Sequence, residues 1–164
     1  MRIGVNFEKA KIVAASVAIL AGCNPFHHAT KLSNDDPNYG RRWHASLVTP
    51  KGLQGVAQIT GNATWGPAPQ EGASLVKVSI SNATPGGQHP WALHHGQCGN
   101  DAGVIGSPGD FPALHVGNDG TASQSATLAI VLPRNGEYFV SIEAAATNAG
   151  IVVACGNLSP PVND

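Results

Sequence analysis

The 164-residue chain has the length of one ordinary domain, enough to bury a core of its own. Charged residues make up only 12% and aromatics 5%, against 20 glycines and 12 prolines, which excludes a long-helix architecture and points to short elements joined by many turns. A formal net charge of −1 without any block of like charges excludes the positive field that a nucleic-acid partner requires.

The first segment carries Arg2, Lys9 and Lys11, then a weakly polar-to-apolar run over 12–20, then Leu20-Ala21-Gly22-Cys23. The run is shorter than the ~20 residues a permanent membrane helix needs, so 1–22 reads as an export signal removed on maturation. The quartet resembles the bacterial lipobox, in which cleavage precedes a cysteine that then receives lipid. Cys23 is therefore the expected lipidation site and the membrane partner its anchor; a plain secretory signal is the alternative. Asn24 rather than Asp follows it, which points to an outer membrane, facing the periplasm, or to the cell surface. Loss of 1–22 removes three basic residues and one acid and leaves a net charge of −3. The stretch 23–40 has neither a 2.0 nor a 3.6 period and reads as a lipidated tether, with His27 and His28 solvated rather than ligating.

From Arg41 onward β-type runs alternate with Gly/Pro/Asn punctuation, and 41–159 reads as one β domain with 160–164 as its tail. Strands are predicted over 43–49, 53–60, 74–80, 89–94, 122–132, 137–143 and 151–155. In SLVKVSI, Val76, Val78 and Ile80 share one parity and are wholly apolar, as a strand with one wet face demands. Turns are explicit at TPKG (49–52), TPGG (84–87), NDG (118–120) and RNG (134–136). A closed antiparallel barrel or a Greek-key sandwich fits this pattern. Trp43, Trp65 and Trp91 read as core or rim packing. With Cys23 assigned to lipid, Cys98 and Cys155 remain in a compartment that permits oxidation and are expected to pair; two free buried thiols are the alternative.

Three segments carry a family resemblance, in order and in register: HPWALHHGQCG (89–99), GDFPALHVGNDGTA (109–122) and NAGIVVACGNL (148–158). Together they resemble the copper/zinc superoxide dismutases and their short bacterial lipoprotein relatives, over about 43–158. The resemblance implies an eight-stranded antiparallel Greek-key barrel and places Cys98 and Cys155 at the family's disulfide. It also implies a copper ion held by a His-x-His pair, whose two imidazoles share a strand face. Here that pair is Ala92 and His94, with His95 on the opposite face by parity. A further copper position aligns with Glu143, and the arginine that guides superoxide aligns with Val152. Asp110 matches the zinc-binding aspartate, yet no histidine lies between Cys98 and Asp110, so zinc is not expected.

The candidate metal residues are thus His94, with His89, His95 and His115 gathering around it if the loop after Leu114 folds over the strand, and Asp110. Glu143 reads as an oxygen ligand or, more plainly, as a solvated edge charge. No cofactor is firmly implied; copper is the metal left open. Neither a Gly-x-Ser-x-Gly elbow nor a phosphate loop is present. The favoured reading is a cell-envelope lipoprotein whose superoxide-dismutase-like domain has a degenerate copper site and acts as a non-enzymatic binding or structural module. The alternative is a superoxide dismutase or metal-binding protein with a rearranged copper-only site.

Overall fold

A computed structural model describes residues 41–55, 58–145, 147 and 150–160. The signal, the tether, Cys23 and its lipid, and Asn148 and Ala149 of the third resembling segment lie outside the described residues, as does the tail beyond 160.

Alternation builds the strands. In β1 (Trp43–Val48) Trp43, Ala45 and Leu47 are buried while His44, Ser46 and Val48 are exposed, and β3 (Ser74–Ser81) buries Ser74, Val76, Val78 and Ile80 in the same way. The remaining strands are β2 (Thr60–Pro67), β4 (Gln88–His89), β5 (Trp91–Gln97), β6 (Asn100–Val104), β7 (Leu114–His115), β8 (Ala122–Leu128), β9 (Tyr138–Glu143) and β10 (Val152–Asn157). Eight of them form one antiparallel sheet in the order β6-β5-β9-β10-β1-β2-β3-β8, and β4 pairs with β7 separately. There is no α-helix among the described residues, only 3₁₀ turns such as Lys51–Leu53 and Pro108–Asp110.

The sheet curls. Leu93 near one end of the strand order and Leu128 at the other belong to a single buried cluster with Leu47, Val76 and Val140, and a flat sheet cannot bury the same face of all its strands against itself. Within it Trp43 and Trp65 each make a T-shaped contact with Tyr138, with ring centroids 5.1 and 5.0 Å away. Trp91 closes a second corner, with its ring against Phe111 and its Nε1 donating to the Pro112 carbonyl at 2.7 Å. All three tryptophans are core residues.

The observed strands depart from the sequence pattern in four places. The strand expected over 53–60 is instead a 3₁₀ turn at Lys51–Leu53, and the real β2 starts at Thr60. Gly61, Asn62, Gly66 and Pro67 read as turn formers, but Ala63 and Trp65 face the core, and a Cβ on Gly61 would overlap the Ser79 carbonyl of the adjacent strand. The expected 89–94 strand splits at Pro90, whose ring nitrogen cannot donate to a ladder, so His89 belongs to β4 and His94 to β5. The strand expected over 122–132 ends at Leu128. Finally β6 escapes notice because every one of its side chains is exposed, which erases the alternation.

Candidate functional site

On β5 and β9 the residues that do not face the core form a second, outward layer. Ala92 and His94 lie on one strand and Phe139, Ser141 and Glu143 on its neighbour, with Ala92 opposite Ser141 and His94 opposite Phe139. Cys155 of β10 stands opposite Ser141, and Val152 opposite Glu143. The Cys98–Cys155 disulfide is formed and ties the end of β5 to β10, across β9.

His94 is 6% exposed, and both of its nitrogens are engaged. Nδ1 lies 3.0 Å from Asp101 Oδ1, and Nε2 lies 2.9 Å from Ser141 Oγ. A carboxylate accepts only, so Nδ1–H donates to Asp101 and Nε2 accepts the Ser141 hydroxyl proton. The ring stacks on Phe139 at 4.7 Å and 20°. What brings Asp101 over His94 is a bulge: the β5–β6 register shifts between His94 and Gly96, and Gly96 has φ 95°, a conformation that glycine adopts without penalty.

Asp101 also accepts the Gly103 N–H at 2.7 Å. That backbone bond holds its carboxyl below the usual range, opposed by its slight burial and aided by His94. Since the folded pKa is the lower one, the associated stability is present above the unfolded carboxylate value and is lost as pH falls through the folded value. Asp101→Asn is therefore expected to flatten the acid limb of stability, which urea midpoints between about pH 3 and pH 6 would register as a smaller wild-type-to-variant gap at the acid end.

A groove of about 940 Å³ opens over this layer, with His94, Asp101, Ser141 and Glu143 along it, and beyond them the disulfide, Val152 and Val48, which pairs with Cys155. Glu143 is half-buried on an interior strand and its Oε2 accepts the Gly150 N–H at 3.0 Å. It is not the solvated edge charge that its place in the sequence suggests.

The other candidate metal residues do not gather around His94. His89 donates through Nδ1 to the Glu143 carbonyl at 2.8 Å, His115 is exposed on β7, and His95 is exposed on the opposite side of β5, tilted toward Tyr138 at 5.4 Å. Asp110 closes its own 3₁₀ turn by accepting the Ser107 N–H at 2.8 Å. Leu114 and His115 pair with His89 and Gln88 in the β4–β7 ladder, which is separate from the sheet that carries His94. Among the described residues no three His, Cys, Asp or Glu side chains are grouped as a metal site. Conversely, sequence reasoning missed Asp101 and Ser141. The signal available for Ser141 was its parity, two residues before Glu143 in an otherwise apolar VSIE run; for Asp101, in a strand without alternation, there was none.

No family model matches the chain, and no curated protein matches it.

Proposed function

We propose that this chain is an exported, lipid-anchored envelope protein whose curled sheet is a Greek-key barrel of the superoxide-dismutase type, with its copper position closed, serving as a binding or structural module rather than a dismutase. One observation carries this reading: the single imidazole at a copper-type position, His94, has both ring nitrogens committed to Asp101 and Ser141. Its neighbours do not complete a copper centre either. Ala92 has no donor atom, and Glu143 offers a hard oxygen already bonded to Gly150, where copper favours several imidazoles. Val152 supplies no cation to draw superoxide in. The eight antiparallel strands and the formed disulfide support the barrel assignment.

After loading with copper and dialysis against a weak chelator, the purified protein is expected to retain no metal and to consume superoxide no faster than the dialysate. Stoichiometric copper that disappears in His94→Ala, with dismutation disappearing in parallel, decides for the copper enzyme instead. The anchor has its own check: Cys23→Ser is expected to move the protein from the membrane fraction to the soluble envelope fraction, and an unchanged distribution would remove the lipid from this reading.

A further inference from the structure

The geometry points to an acyl-accepting serine: Ser141, with His94 as its base and Asp101 orienting that base, attacks small activated esters from the groove. The three side chains stand in the order and at the separations that this chemistry needs, Asp101 Oδ1 to His94 Nδ1 at 3.0 Å and His94 Nε2 to Ser141 Oγ at 2.9 Å. Such a constellation is recognised by geometry and roles, not by fold or chain order, and here it is assembled from β6, β5 and β9. Neither the copper-site comparison nor the search for a nucleophile elbow would find it, since Ser141 sits in mid-strand.

A buried hydrogen-bonded histidine alone would be a packing feature. Two further facts point to a ligand. All three residues line one groove of about 940 Å³, within the size of small-molecule sites. Asp101, which could have been spent on solvent, instead holds the imidazole in the tautomer that leaves Nε2 as the proton acceptor, while its own side chain remains 52% exposed. Access sets the substrate class. Ser141 is only 1% exposed, at the groove floor beside the disulfide, so the acyl group must be acetyl-sized. Glu143 on the same wall disfavours anionic esters.

In the first step Ser141 Oγ bonds to the ester carbonyl carbon and its proton passes to His94 Nε2, the imidazolium being held by the Asp101 carboxylate. Collapse breaks the bond to the alcohol, which leaves with that proton. Water then repeats the sequence, returning Ser141 and releasing the carboxylic acid.

The full chain, incubated with p-nitrophenyl acetate in the presence of EDTA, is expected to carry one acetyl group on the peptide containing Ser141 and to release nitrophenol in a burst. Ser141→Ala should abolish that adduct. Asp101→Asn, at a half-exposed position that leaves the core intact, should slow acylation by roughly 100-fold or more while the circular dichroism is unchanged. No adduct on Ser141 in folded wild-type protein, or an Asp101→Asn rate equal to wild type, overturns the inference. Because EDTA is present throughout, either outcome is independent of whether copper binds.

Discussion

Replacing Cys98 and Cys155 together by serine is expected to destabilise the domain by up to about 4 kcal/mol. The two residues are 57 apart in sequence, and the entropy that a cross-link of this span removes from the unfolded chain sets the figure. Position decides what is lost first. β6 is an edge strand whose side chains are all exposed, so no buried apolar side chain of its own holds it to the sheet; its backbone pairing with β5, the Asp101–His94 hydrogen bond and the bridge just before it do. Asp101 is on that strand. The double variant should therefore show two effects in sequence. Amide exchange in 100–104 accelerates under conditions where β3 and β9 stay protected, and the urea midpoint then falls. A change below about 1 kcal/mol would mean that the β5–β6 hairpin holds by itself and that the bridge is incidental to the groove.

The fold was legible where burial is one-sided. β1 and β3 announced themselves because every second residue is apolar, and the turns at 84–87 and 118–120 because glycine and asparagine supply backbone freedom there. β2 was not, since its glycines serve close strand approach rather than turning: Gly61 sits against the Ser79 carbonyl and Gly66 against the Arg42 side chain. Sequence spacing cannot distinguish those uses of glycine. The site divides in the same way. The disulfide pair stood out by residue type and His94 by the resemblance of its segment, but the partners of His94 depend on the register of three strands and on one bulge at Gly96, which are properties of pairing rather than of any local run. The expected gathering of His89, His95 and His115 rested on a loop path, and the structure instead pairs His115's strand with that of His89, in a ladder separate from the sheet that carries His94 and His95.

Introducing Ala92→His together with Glu143→His is expected to raise Cu(II) affinity above that of the parent by well over tenfold, or 1.4 kcal/mol, in a competitive chelator titration. The register gives the reason. Ala92 and His94 are two apart on β5, so their side chains share a face; Glu143 is on the neighbouring strand, two residues from Ser141, which stands directly opposite Ala92. Position 143 is therefore diagonal to 92, at a Cβ spacing of about 7–8 Å, and 94 adjoins 92 on the same face, so an ion gripped between imidazoles at 92 and 143 lies beside that of His94. Ser141 lies between them and holds His94 Nε2, so adding Ser141→Ala should tighten binding further by freeing that lone pair. If the double variant gains nothing, the copper-position register proposed for Ala92 and Glu143 is shifted, and the proposed barrel type is left with strand count and disulfide alone in its support. If the triple variant binds no better than the double, the Ser141 hydroxyl yields to metal without resistance. The closed state of His94 would then be an easily reversed hydrogen bond rather than a barrier, and the distinction drawn between this groove and a copper site would lose its physical basis.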